Sequence, residues 1–429
     1  MRVLLSAVGS RGDAQPFVAL GVGLAAAGHT VTVNTHERFR TLVEEAGLAF
    51  APLSDAILDL LDTDLGREAI ENSGTPLEWV RTIARSYRAV GGAQRAMVDE
   101  AWAAAEAAQP DVIVYHQKAF WGPAFADALG GRAVLATLQP VLAPTPDFAV
   151  LGTPSLPRWT GPLRRRYNQG TYRLARRFAD WGMRQYLRDW HRAHARPQRS
   201  VLTQPDGQPI PTLQAFSPLV VPATWPPYVA TTGFWHLHRS DGWTPPTDLA
   251  AFLDAGPPPV YIGFGSMTGK RSAERARAVV DAVELAGVRA VLALGWGGLD
   301  LDAAGLSLGT LPVTCFALRQ APHDWLFPRT AAVVHHGGAG TTAAGLRAGR
   351  PTVVCPFFVD QPFWGRRVHA LGVGPEPLRQ RDLTAEALAG RIRAAVNTNS
   401  IRQAAARLGE RLRAEDGVAN ATAFVEQIG

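Results

Sequence analysis

The run His335-His336-Gly337-Gly338-Ala339-Gly340-Thr341-Thr342 follows an apolar stretch and precedes a helical one. Glycines there let the backbone approach a ligand closely. A helix that begins near Thr341 presents free amides and a partial positive charge, which suits a diphosphate. Thr341 and Thr342 add hydroxyls, and a histidine can donate to a phosphate oxygen. The alternative is a bare strand-to-helix turn, but a turn has no use for two histidines. Gly338 to Ala343 also fits a dinucleotide fingerprint in its final-alanine form, yet no acidic residue ends a following strand to hold a ribose. An oxidoreductase reading is the weaker for it.

Three other runs bear on chemistry. Asp360-Gln361 follows the stretch Thr352–Pro356 and precedes Pro362. A carboxylate beside an amide suits the hydroxyls of a sugar; the competing reading is a capped helix start. Gly9-Ser10-Arg11-Gly12-Asp13 follows the first apolar run, where sites in open parallel sheets gather. Asp13 near a helix start stays ionised, as a general base must, or it is an ordinary capping aspartate. Gly263 to Lys270 has the look of a phosphate loop, but the spacing is wrong and Arg271 stands where a Ser or Thr would hold magnesium. Ser266 in that run remains an anion contact. Asp62 and Asp64, like Asp300 and Asp302, have a metal-binding spacing but sit in polar loops, so no metal site is expected.

Positioning such loops requires strands and helices in alternation. Val3–Val8, Thr30–Asn34, Asp111–His116 and Ala133–Leu138 read as buried strands, with helices such as Pro16–Ala27 and Gly92–Ala108 between them. The alternation breaks in residues 140–200 and at the prolines of 222–259, then resumes. Pro259–Phe264, Ala290–Leu294, Val313–Phe316, Ala331–His335 and Thr352–Pro356 read as strands; Ser272–Ala286, Thr341–Ala348 and Thr384–Ile428 read as helical. The expected fold is α/β: two facing Rossmann-like domains, each a parallel sheet flanked by helices, with an interdomain cleft. The expected boundaries are 1–222, a proline-rich linker 223–258, a second domain 259–408, and a last helix 409–429 that packs back on the first domain.

The chain has 429 residues, 47 % hydrophobic and 19 % charged, so it buries large cores and is not disordered. No apolar run is long enough to span a membrane. The opening Met1-Arg2-Val3-Leu4-Leu5 reads as a strand and not as a secretory leader. Cys315 and Cys355, both in apolar runs, read as reduced core residues of a cytoplasmic protein. The only lysines are Lys118 and Lys270. Arg158 to Arg199 holds twelve arginines against Asp180 and Asp189, which makes one basic region on a mildly acidic body. Leu174, Phe178 and Trp181 recur there at i, i+4 and i+7, with Leu187 and Trp190 continuing the stripe. Such a stripe reads as core packing.

Taken together, His335 to Gly349, Pro351 to Trp364 and Gly9 to Pro16 resemble the signatures of GT-B, family 1 nucleotide-sugar glycosyltransferases. The resemblance is strongest to sterol glucosyltransferases, through His323 to Pro328, His335 to Thr342 and Asp360 to Trp364. Bacterial enzymes that glycosylate glycopeptides and other natural products look similar. The resemblance implies Asp13 as the base, with Ser10 and Gly12 shaping its loop. It implies that His336, Gly338, Gly340 and Thr341 hold the diphosphate, with Ser266 opposite. Asp360 and Gln361 would bind sugar hydroxyls, and Gln320, Ala321 and His323 would meet the nucleoside. Plant small-molecule enzymes of this kind carry a ribose-binding glutamate where this chain has Ala344, so UDP and dTDP donors both stay open.

The expected activity is that of an inverting, metal-independent hexosyltransferase with no required cofactor beyond its nucleotide-sugar co-substrate. The expected acceptor is hydrophobic, a sterol, triterpenoid or polyketide aglycone; tryptophans between 121 and 243, with Phe120 and Phe148, offer apolar surface. The basic region Arg158 to Arg199 reads either as a solvated helix face or as a peripheral contact to an anionic membrane; nucleic acid is not an expected partner. The alternatives are a nucleotide-sugar epimerase of the same architecture and an inactive glycosyltransferase-like partner protein.

Overall fold

The computed structural model describes residues 1–61, 76–238, 243–265, 272–294, 299–302, 304–306, 311–357 and 360–429. Of 61, 76–90 and 158 it describes the backbone only. The chain forms two compact units: Met1–Leu237 with Asp416–Gly429, and His238–Glu415.

The first unit is built on a sheet of seven parallel strands among the described residues, ordered β3-β2-β1-β4-β5-β6-β7. They are β1 (Arg2–Ser6), β2 (Thr30–His36), β3 (Ala49–Leu53), β4 (Val112–His116), β5 (Arg132–Thr137), β6 (Thr212–Gln214) and β7 (Val229–Thr231). Strand residues alternate between two cores, as the pleat requires. Val3 and Leu5 pack with Phe17, Val18 and Leu20 of helix α1 (Arg11–Ala26). Leu4, Ile113 and Leu135 face the other way, against Trp121 and Phe125. Both faces are therefore apolar, which is why the strands read as continuous hydrophobic runs.

The second unit holds a sheet of five parallel strands among the described residues, ordered β10-β9-β8-β11-β12. These are β8 (Val260–Gly263), β9 (Ala290–Ala293), β10 (Cys315–Leu318), β11 (Ala332–His335) and β12 (Thr352–Val354). Register aligns Gly263, Ala293, Leu318, His335 and Val354 in one row. Every loop that leaves the carboxyl end of these strands thus starts from one edge.

The elements depart from the sequence reading in four places. The stretch 223–258 is no single linker: Val229–Thr231 completes the first sheet, and the helix Thr247–Asp254 belongs to the second unit. The last helix, Gly417–Ile428, starts later than 409 and packs in the first unit, where Ala421 and Val425 join its core and Asn420 Nδ2 donates to the Thr232 carbonyl. Helix α1 begins at Arg11, five residues before Pro16. Val313 is exposed, and strand β10 begins only at Cys315, after a turn in which the Cys315 amide donates to the Pro312 carbonyl. Both cysteines are buried, and burial pushes their thiols up to about 11 and about 12.

Candidate functional site

In the first sheet the strand order turns back between β1 and β4, so the loops that follow those strands part and leave room at the sheet's carboxyl edge. Asp13 lies there, 7 % exposed. Its Oδ2 accepts from the Ser10 amide at 2.8 Å, the Ser10 hydroxyl at 3.1 Å and Lys118 Nζ at 3.0 Å. Its Oδ1 has one partner among the described residues, His116 Nε2 at 3.5 Å. The carboxylate therefore does two things. It closes the first turn of α1, as a capping residue does, and it keeps one oxygen largely uncommitted.

Gly9 makes this possible. Its φ is +133°, a conformation open to glycine, and a Cβ there would sit 2.2 Å from Asp13 Oδ2 and 2.7 Å from Lys118 Nζ. Ser10 and Gly12, expected to shape this loop, belong to it, and Ser10 donates to Asp13 through its amide and its hydroxyl.

His116 and Lys118 are the residues that sequence reading missed. His116 ends β4 and is fully buried, its ring edge-on to Phe17 at 5.8 Å. Burial pushes its imidazole down to about 4, so it is neutral at neutral pH. Lys118 is then the cation of the cluster. Burial alone would raise the Asp13 carboxyl, but Lys118, followed by His116 and the Ser10 amide, holds it below its ordinary value. Lys118→Met removes that cation, so the Asp13 carboxyl should titrate higher than in wild type. Carboxyl NMR would read the shift; an unmoved titration would mean that Lys118 does not govern the carboxylate.

In the second sheet the order turns back between β8 and β11. The loop after β11 carries the two histidines, and they divide the work. His335 is fully buried and its Nδ1 accepts from the Gly337 amide at 2.9 Å, so it holds the turn. Gly337 has φ +94°, and a Cβ there would lie 2.7 Å from Val354 Cγ1. His336 is half-buried at the mouth of the turn, and its Nδ1 has no hydrogen-bond partner among the described residues. Burial, with His323 nearby, pushes its imidazole down to about 4. It is neutral at neutral pH and keeps an N–H to donate.

Helix α2 (Ala339–Arg347) starts at this turn, with Gly338 as its N-cap in extended conformation. Thr342 turns its hydroxyl back to the Gly338 carbonyl at 2.9 Å, and Thr341 stands half-buried in the first turn. Gly340 is exposed with open space at its Cα. The start of α2 is thus a set of backbone donors under a small-residue roof, the arrangement that binds phosphate.

The other expected contacts leave the same sheet edge. A Cβ on Gly265 would lie 3.1 Å from His336 Cε1, so the loop after β8 runs against that ring. Ser266 itself lies outside the described residues, as do Asp62 and Asp64. After β10, Gln320 is exposed and Ala321 half-buried; His323 stacks on Phe327 at 4.3 Å. After β12, Asp360 is the N-cap position of helix α3 (Gln361–Ala370), and its Oδ2 accepts from the Trp364 indole at 2.8 Å. Gln361 is buried and its Oε1 accepts from the Phe357 amide at 2.8 Å. This amide carbonyl ties the loop together, a duty not legible from its position.

The chain was compared with known proteins. Residues 3–115 match the glycosyltransferase family 28 N-terminal domain, and residues 300–422 match the erythromycin biosynthesis protein CIII-like, C-terminal domain. It is 35 % identical to the O-mycaminosyltylonolide 6-deoxyallosyltransferase of Streptomyces fradiae, covering 100 % of this chain and 97 % of that one. It is 34 % identical to a sterol 3-beta-glucosyltransferase of Arabidopsis thaliana over 98 % of this chain and 64 % of the relative. It is 32 % identical to the Aspergillus terreus sterol 3-beta-glucosyltransferase over 98 % of this chain, which spans 29 % of that protein. Among solved structures, the glycosyltransferase VinC in complex with dTDP shares the fold, with TM-score 0.66, 21 % identity and coverage of 100 % and 99 %. Neither these likenesses nor the geometry favours an epimerase.

Proposed function

This chain belongs to the GT-B glycosyltransferases of family 1, and from that premise we propose that it moves a hexose from a UDP- or dTDP-linked donor to a hydroxyl of a hydrophobic acceptor. A sterol, triterpenoid or polyketide aglycone fits, given relatives named for sterol and tylonolide chemistry. The observation that carries the mechanism is the Asp13 carboxylate, ionised, with Oδ2 saturated by three donors and Oδ1 left to take a proton.

The acceptor hydroxyl attacks the anomeric carbon while the nucleoside diphosphate leaves from the opposite face, inverting that centre. An alcohol is a weak acid, so Asp13 takes its proton only as the new bond forms. Charge that develops on the departing diphosphate meets the amides at the start of α2, the His336 N–H and the Thr341 hydroxyl. These donors are already oriented and need no reorganisation. They stabilise the leaving group without a metal ion, so the reaction is read as metal-independent. Asp360 and Gln361 orient the sugar, and Gln320, Ala321 and His323 meet the nucleoside. Ser266 adds a further phosphate contact.

Calorimetry with UDP, dTDP, GDP and NAD, each with and without chelator, tests the donor side. UDP or dTDP should bind, indifferent to chelator. The enzyme with the matching nucleotide sugar and an aglycone panel should then yield a glycoside of inverted anomeric configuration. Binding of NAD alone, or conversion of the donor without acceptor, would overturn the reading.

A further inference from the structure

A helix of a water-soluble unit normally turns its apolar stripe inward. Residues Gly161–Arg184 form a helix that does the reverse. Its inward face is held mainly by polar contacts: Asn168 Nδ2 donates to the Pro146 carbonyl at 2.8 Å, the Tyr172 hydroxyl to that of Pro140 at 3.4 Å, and Arg176 to that of Leu142 at 3.1 Å, with Met183 packed against the core at the helix end. Asn168, Tyr172 and Arg176 recur at i, i+4 and i+8 and pin the helix to the loop that follows β5. Its outward face is apolar. Leu163 is 63 % exposed, Leu174 57 %, Phe178 64 % and Trp181 69 %, and Trp159 just before the helix is 86 % exposed. Leu174, Phe178 and Trp181, expected in the core, are thus at the surface; only Leu187 and Trp190, farther along, are buried.

Beside the apolar stripe runs a basic one. Arg166, Arg173 and Arg177 are exposed and make no ion pair among the described residues. They lie on one edge of the helix at i, i+7 and i+11. Arg184 continues that edge, paired with Asp180 at 3.2 Å. No described helix is long and apolar enough to cross a membrane.

We propose that the outward face of helix Gly161–Arg184 docks on the surface of an anionic lipid bilayer, with Leu174, Phe178 and Trp181 entering the headgroup region and the arginine edge pairing with lipid phosphates. Charge complementarity selects this occupant. Three arginines on one edge, Arg166, Arg173 and Arg177, with no ion pair among the described residues suit a surface of dense negative charge, and exposed aromatics suit the boundary between headgroups and acyl chains. A second copy of the chain would bring the same unpaired arginines to its side of the contact. The inference concerns binding alone and does not rest on the proposed activity.

Flotation of the full chain with vesicles tests it. Wild type should float with vesicles of phosphatidylcholine and phosphatidylglycerol, weakly with phosphatidylcholine alone, and less as salt rises. Phe178→Asp with Trp181→Asp changes exposed side chains only, so the fold should persist by circular dichroism while flotation is lost. Arg173→Glu with Arg177→Glu should weaken binding to anionic vesicles about tenfold or more and leave the weak neutral binding in place. Wild type that stays with the solvent, or an aspartate variant that floats as well as wild type, would overturn the proposal. So would a wild-type dimer that does not float and that the aspartate pair converts to monomer, since a second copy would then be the occupant.

Discussion

Asp13→Asn should lower kcat by about two to four orders of magnitude while nucleotide binding and fold are retained. The substitution is chosen for what it keeps. An amide oxygen can still accept from the Ser10 amide, now 2.8 Å from Oδ2, so the first turn of α1 stays closed. What is lost is the negative charge and the ability to take a proton. Steady-state turnover against aglycone, set beside calorimetric binding of the nucleotide, separates the two. A variant that turns over within tenfold of wild type would remove Asp13 from the chemistry. A variant that unfolds would show only that the turn depends on the ionised form.

The same carboxylate sets a pH dependence. Its folded value lies below its ordinary one, so the base form persists at neutral pH and through the mildly acidic range. Activity governed by Asp13 falls only as pH drops through that folded value. Stability follows the same sign. The contribution of the Asp13 cluster is fully present above the ordinary carboxylate range and is lost as pH falls through the folded value. The energy is small where Lys118 is concerned, since its side chain is half exposed and water screens the pair.

The loops that carry these groups were legible in the sequence because glycines mark places where backbone conformation matters more than side chains. Gly9, Gly337 and Gly338 flagged both carboxyl edges. Strand pairing across long distances was not legible. His116 and Lys118 reach Asp13 because β4 pairs with β1, in register Ser6 to Tyr115, and no local pattern announces that. The one available signal was rarity: Lys118 is one of two lysines, two residues past an apolar run. The strands Thr212–Gln214 and Val229–Thr231 are three residues each, too short for a period to show. Periodicity also says which residues share a helix face, not which way that face turns. Leu174, Phe178 and Trp181 share one, but Asn168 and Tyr172 on the opposite side found carbonyl partners and went inward.

The two adjacent histidines should part company under substitution. His336→Ala should weaken UDP or dTDP binding about ten- to a hundredfold, the cost of losing one hydrogen bond to a charged oxygen. It should leave the melting temperature near wild type, because its Nδ1 has no hydrogen-bond partner among the described residues and its ring stands at the mouth of the turn. His335→Ala should do the opposite. Its ring is fully buried and accepts from the Gly337 amide, so removal leaves a void and an unmet donor, a loss of about 1–3 kcal/mol of stability. Nucleotide affinity would then fall only as far as the turn loosens. Binding should also reveal the charge on His336. Free, it is held neutral by burial, with an imidazole near 4. A bound diphosphate favours the cation and raises that value, so wild-type affinity should strengthen as pH falls through the bound-state pKa toward the free value. His336→Ala should lose that slope, and His336→Gln should restore part of the affinity through its amide N–H without restoring the slope. If His335→Ala loses the slope and His336→Ala keeps it, the assignment of roles is reversed and the wrong histidine has been given to the leaving group.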